Sequence, residues 1–262
     1  MLLNQMSLRT SLIAGLSVVG LLGLFFVLAS GDVYRDASLT QQRAALGEQV
    51  RARLGDLRRE MEAESQRLAL QARSEPGFMA ATAAGKPAAV VRQLDQLFDR
   101  PGFSSSRARL ARLQLLDAGM HVMAASTRGV PDAVLNQPAC ANLYSVAAKR
   151  RDTETFKPVT GVCVAEKNIY HLSIHALGEY PSSGFLLMAL DMTPRLTGPD
   201  SIFSLPVRLT FPDGTLLYRA ANWPGENEAE NFLVTEQPFG SAPRAPFLVS
   251  VSQDIRAFRD GL

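Results

Sequence analysis

Residues 12–30 read LIAGLSVVGLLGLFFVLAS, nineteen positions without a charge, and the helical pattern that follows them sets how the rest of the chain must fold. A helix of that length spans ~28 Å at ~1.5 Å per residue, close to the ~30 Å hydrocarbon core of a bilayer. In water, Leu12, Ile13, Leu16, Val18, Leu21, Leu22, Leu24, Phe25, Phe26, Val27 and Leu28 would need cover on every side. The run therefore reads as a transmembrane helix, with residues 1–11 as a cytoplasmic N-terminus. Arg9 precedes it, while Asp32, Arg35 and Asp36 follow, and positive flanks prefer the cytoplasm, so the bulk lies outside. A cleaved signal peptide is the alternative, with Val27, Leu28 and Ala29 before the cut. The run exceeds the ~7–15 residues of a signal h-region, which favours a retained anchor. Both readings export the remainder, in a bacterium to the periplasm.

From 36 to 75 the sequence reads as one long amphipathic helix. Leu39, Leu46, Val50, Leu54, Leu57, Met61 and Leu68 fall on one narrow stripe at 100° per residue, with charged residues elsewhere and no proline. Glu75, Pro76 and Gly77 end it. Arg53, Glu60 and Glu64 interrupt a strict heptad, so the stripe is expected to pack on its own domain, with a homodimer seam near the membrane. Residues 77–101 form a second, broken helical stretch, with Pro87 at a helix start.

The period then changes to that of strands. Residues 112–116 and 120–124 flank Asp117-Ala118-Gly119 as a hairpin. Residues 127–156 read as an elaborated connection. Strand patterns return at 159–164, 169–177 and 185–190, and 191–204 reads as a short helical or looped crossover. A second Asp–Gly hairpin joins 207–211 to 215–218, and 231–236 and 246–251 supply two further strands, with a loop at 237–245. Similar hairpins almost a hundred residues apart hint at two related β-modules.

With 27 Lys and Arg against 25 Asp and Glu, the net charge is +2, and no basic stripe marks a nucleic-acid binder. Lys149, Arg150 and Arg151 read as a solvated loop because Asp152 and Glu154 follow. Cys140 and Cys163 are both exported, so one disulfide is expected, with two buried thiols as the alternative. Closing that loop would stabilise by ~3 kcal/mol.

The helix at 36–75, LQLLDAGMHVMAAST at 113–127, YHLSIHAL with GFLLMALD at 170–191, and LTFPDGTLLYRAANWP at 209–224 together resemble the extracytoplasmic Cache-type (PAS-like) sensor regions of bacterial chemoreceptors, sensor histidine kinases and cyclic-di-GMP enzymes. FLVSVSQDIRAF, at 247–258, resembles the last strand and the helix that would lead to a second membrane segment. The resemblance implies an α+β fold: an anchor at 12–30, a long helix with a membrane-distal module over 31–195, and a smaller membrane-proximal β-module over 196–262. It also implies a chain that continues past Leu262 into a second membrane segment and a cytoplasmic output domain such as a kinase or cyclase.

Several residues are candidates for binding a small ligand. His171, Ser173 and His175 share one face of a strand, but histidines four apart there are ~13 Å apart, too far to hold one metal. Asp191 follows an apolar strand where related sensors place a carboxylate over a ligand ammonium. Arg112 would meet a ligand carboxylate through its forked donors. Tyr144, Tyr170 and Trp223 are candidates for a pocket wall, and Tyr170, Leu172, Ile174 and Ala176 read as core. The amino-acid-binding signature of double Cache domains is incomplete, so no ligand is carried over. No phosphate loop, nucleophile elbow, HExxH motif or paired-cysteine metal site is present in the sequence, and neither an enzyme nor a cofactor is expected. The reading is a membrane-anchored sensor domain in contact with the bilayer, an unidentified small molecule and a second copy of itself. The alternative is a single-pass envelope scaffold.

Overall fold

A computed structural model describes residues 8–101, 109–136, 138–178, 184–240 and 246–259. Its first element, α1 (Leu8–Arg73), is one helix of 66 residues. The stripe expected from the sequence is its buried edge: Leu46, Val50, Leu54, Leu57, Met61 and Leu68 are buried and Leu39 is partly so, with Ser65, Ala69 and Ala72 completing the contact. The packing is against the chain's own sheets, as the interrupted heptad implied.

Among the described residues no helix is long and apolar enough to cross a membrane, so the structure does not itself supply the span expected at 12–30. It supplies instead a helix whose described large apolar side chains, from Leu12 to Phe26, stand 56–72 % exposed.

Two short helices, α2 (Pro76–Ala83) and α3 (Pro87–Phe98), follow, each with proline in the first turn where its missing N–H costs nothing. The strands β1 (Arg109–Leu116), β2 (Val122–Ala125), β3 (Val159–Ala165), β4 (Asn168–Ala176) and β5 (Phe185–Asp191) form an antiparallel sheet in the order β2-β1-β5-β4-β3. After α6 (Thr193–Thr197), β6 (Val207–Thr210), β7 (Leu216–Arg219), β8 (Phe232–Phe239) and β9 (Phe247–Asp254) form a second antiparallel sheet in the order β7-β6-β9-β8. A short turn of helix, Arg256–Arg259, closes the described chain.

α1 covers one face of both sheets. Its buried residues join Leu110, Leu113, Leu186 and Met188 of the first sheet and Val207, Leu209, Val249 and Val251 of the second in one apolar core, to which α2 and α3 add Phe78, Val90, Leu94 and Leu97. The second sheet lies nearer the N-terminal end of α1: a Cβ on Gly47 would stand 3.1 Å from Thr235 Oγ1, whereas Thr160 Oγ1, from the first sheet, donates to Glu62 at 3.4 Å. A second apolar cluster fills the opposite face of the first sheet and contains Leu172, Ile174, Leu187 and Ala189.

Three differences from the sequence reading have local causes. The connection at 127–156 contains α4 (Asp132–Leu135), α5 (Pro138–Ala148) and a 3-10 turn at Asp152–Phe156. In α5 the buried positions are Cys140 and Ala147 rather than a leucine stripe, so the 3.6-residue period is faint. β8 runs on through Pro238, which pairs with Leu248, because β8 is an edge strand and a missing N–H is tolerated there. The hairpins share a three-residue loop but not its sequence: Gly214 takes the left-handed position in one (φ 87°) and Met120 in the other (φ 66°), one residue beyond Gly119. Positions 241–245 of the expected loop lie outside the described residues, as do residues 1–7 of the N-terminus.

Leu57 is 1 % exposed at the centre of the α1 contact, so Leu57→Ala should lower unfolding stability by about 3 kcal/mol in denaturant titration. A loss below about 0.5 kcal/mol would mean the helix is not held by this face.

Candidate functional site

The first sheet presents two different faces, and the strand period assigns side chains between them. Arg112 and Gln114 of β1, opposite Ala189 and Leu187 of β5, point away from α1 toward the layer formed by α4 and α5. A register shift between Leu110 and Arg112 puts Ala111 on this face beside Arg112.

There a connected polar network forms. Arg112 Nε donates to Asp132 Oδ1 at 2.8 Å, and its terminal nitrogens reach Asp132 Oδ1 at 2.5 Å and the Arg128 carbonyl at 3.1 Å. Gln114 Nε2 donates to the same Asp132 oxygen at 2.6 Å, and Tyr144 Oη donates to Gln114 Oε1 at 3.3 Å. Arg112 and Gln114 are buried, while the Asp132 side chain keeps 39 % of its surface exposed. Burial, then the nearby Asp132 charge, pushes the Tyr144 hydroxyl up to about 12, so it remains a neutral donor at physiological pH. Chemically this is a forked cation, a half-exposed carboxylate, an amide and a phenol converging under one helical cover.

The cover is clamped. Cys140 of α5 and Cys163 of β3 form the expected disulfide across 23 positions of sequence. Gly161 of β3 lets α5 approach: a Cβ there would meet Leu143 Cδ1 at 2.8 Å.

The structure brings Arg112 and Tyr144 together and separates the other candidates. Tyr170 and Asp191 are register partners on the same face. Asp191 Oδ1 accepts the Thr193 N–H at 2.9 Å, fixing the turn into α6. Burial first, then the Asp191 charge, raises the Tyr170 hydroxyl. Trp223 lies in the segment joining β7 to β8, its ring 4.9 Å from the Arg208 guanidinium carbon, and is no part of this wall. His171, Ser173 and His175 alternate with the core residues of β4 and face α1, where they are buried at 1 %, 0 % and 7 % exposure. Both faces of this strand are covered, which strand alternation alone does not reveal. Both His171 ring nitrogens, Ser173 Oγ and His175 Nε2 have no hydrogen-bond partner among the described residues.

The sequence reading missed Gln114 and Asp132. Gln114 was legible as a polar residue two beyond Arg112, hence on its face. Asp132 follows Pro131 at a helix start, but nothing local ties it to a strand eighteen residues earlier.

No family model matches the chain, and no curated relative matches it. Its structure is similar to that of the periplasmic domain of Vibrio cholerae LuxQ, with a TM-score of 0.53 and 13 % identity over 79 % of this chain and 99 % of that one. The likeness is one of fold. It bears out the resemblance to extracytoplasmic Cache-type sensor regions at that level. Two further structures match with lower TM-scores, which add nothing to the fold assignment. They are the ligand-binding domain of the Pseudomonas fluorescens chemoreceptor CtaA with L-isoleucine (0.45, 16 % identity, 87 % of this chain and 98 % of that one) and the V. cholerae DctB histidine kinase sensor domain (0.43, 11 % identity, 81 % and 98 %).

Two outcomes follow from these contacts. Burial and the His175 charge hold His171 down to about 4, and burial and the Arg73 charge hold His175 down to about 4, against 6.5 when unperturbed. The unfolded chain therefore takes up protons before the folded one, and stability should fall as pH drops from about 6.5 to about 4, by on the order of 3 kcal/mol per histidine. Denaturant unfolding at pH 7 and pH 4.5 checks this: His171→Leu should flatten the slope by about half, and an unchanged slope would contradict it. Reducing the disulfide should cost ~3 kcal/mol in the same assay, and no loss would show that α5 is held without it.

Proposed function

We propose that this chain is the extracytoplasmic input region of a membrane receptor, which binds a small ligand at the Arg112–Gln114–Asp132–Tyr144 network and passes the event to α1. The single observation that carries the reading is α1 itself. One unbroken helix of 66 residues has exposed apolar side chains from Leu12 to Phe26 at one end and the shared core of two sheets at the other. The residues at 12–30 are read as the bilayer anchor, with the bulk in the periplasm and the second sheet on the membrane side. Exposed Val33 and Tyr34, just beyond that segment, are the proposed start of a contact with a second copy. The chain is read as non-enzymatic, with any output in sequence beyond residue 262.

A ligand meeting the network exchanges one internal bond for one of its own. A carboxylate competes with Asp132 for Arg112, and an ammonium competes with Arg112 for Asp132. Such an exchange shifts α1 only if ligand and helix favour the same arrangement of the sheet between them. The self-satisfied state of the network favours the alternative, an envelope scaffold in which these bonds are purely structural.

Thermal unfolding of the full chain against amino acids, organic acids and polyamines distinguishes the two. A ligand at 100 times its Kd adds ~2.7 kcal/mol, or ~5–10 °C for a region of this size. At least one compound should give such a shift, and Arg112→Gln should abolish it. No shift across the panel would favour the scaffold, and a shift that survives Arg112→Gln would show that the ligand binds elsewhere than this network.

A further inference from the structure

We propose that the second sheet carries its own oxyanion site, on its face away from α1 and beneath the segment joining β7 to β8. β7 and β8 are opposite edges of that sheet, so residues 220–231 must cross one of its faces. α1 occupies the face made by Val207, Leu209, Val249 and Val251. Arg208, Ser250 and Ser252 alternate with these and point the other way. The Trp223 ring lies 4.9 Å from the Arg208 guanidinium carbon, which places the crossing segment over that second face.

The floor beneath the segment is polar and shielded. Ser250 and Ser252 are both 0 % exposed. Ser250 Oγ donates to Glu236 at 3.1 Å, but Ser252 Oγ and Arg208 Nε are buried without a hydrogen-bond partner among the described residues. Arg208 also sits directly opposite Arg219 in the β6–β7 pair, and neither has an ion pair among the described residues. Like charges directly opposite one another destabilise a sheet. The stack on Trp223 explains where the Arg208 guanidinium lies, but it leaves the cost of an unmade bond to a charged group, ~1–3 kcal/mol or more.

The groups left over are an arginine N–H and a serine hydroxyl, with Arg219 beside Arg208 across the strands and Glu236 beyond Ser250 in the same row. An oxyanion is the ligand that accepts from both; a cation or an apolar molecule does not. The ligand class is a small carboxylate or phosphate, and an anionic lipid headgroup offers the same chemistry.

Trp223 is the only tryptophan in the chain and serves as the reporter. The full chain in nonionic detergent is titrated with inorganic phosphate and with succinate. At least one should change tryptophan fluorescence saturably, at least about tenfold more weakly for Arg208→Gln and severalfold more weakly for Ser252→Ala. Arg112→Gln, in the other sheet, should leave the titration unchanged, which separates this site from the one proposed above. A saturated signal in anionic vesicles without added anion, absent in Arg208→Gln, would assign the oxyanion to lipid. Ser252→Ala removes a single hydroxyl and keeps the test open if Arg208→Gln does not fold. No saturable change in any arm, or variants that respond like the wild type, would overturn the proposal.

Discussion

Burial of one helical stripe against two sheets is the contact on which the remaining structure depends. Each sheet has one apolar face turned toward α1, and no other described element covers both. Fully burying a leucine or methionine contributes ~1.5–3 kcal/mol relative to exposure. The row from Leu46 to Leu68 therefore supplies a large share of a domain's net stability, which is typically only ~5–15 kcal/mol. Because both sheets use the same helix, movement of either against α1 is felt along its length. A helix of this kind couples to its sheets through packing, which has discrete arrangements rather than a continuous range.

The two faces of the first sheet meet their polar residues in opposite ways. Away from α1, Arg112, Gln114, Asp132 and Tyr144 satisfy one another under a cover held by the Cys140–Cys163 link. Against α1, His171, Ser173 and His175 are buried with nitrogens and a hydroxyl unsatisfied. Partly satisfied polar groups weaken an interface. The seam between sheet and helix thus carries a local cost at these three residues within an otherwise apolar contact. The second sheet reverses the contrast, with an apolar face toward α1 and Arg208 Nε and Ser252 Oγ buried without a partner among the described residues on the other.

Much of this was legible wherever one period ran unbroken. The α1 stripe follows from spacing alone, because burial on a single side leaves a clean pattern, and the hairpins and the strands through Asp191 follow from apolar runs bounded by turn residues. α5 was hidden because small residues and a disulfide hold it rather than a leucine face. The extension of β8 was hidden because its proline is tolerated only at an edge, and edge position is a property of the whole sheet. The candidate site was half visible. Arg112 and Tyr144 stood out by residue type, but Asp132 joins them only after the chain between β2 and β3 folds back over the sheet. His171, Ser173 and His175 were correctly placed on one face; which face α1 would cover was not encoded locally.

The central claim is that α1 is a single stiff helix from its exposed apolar end to the sheets. Tyr34 and Asp56 are both exposed on it, and the native cysteines are paired, so Tyr34→Cys and Asp56→Cys accept spin labels without interference. Twenty-two residues of continuous helix separate the labels by ~33 Å, and pulsed electron spin resonance should return one narrow distribution near that value. A broad distribution, or a second population at shorter distance, would show a break between the two ends of α1 and contradict the account.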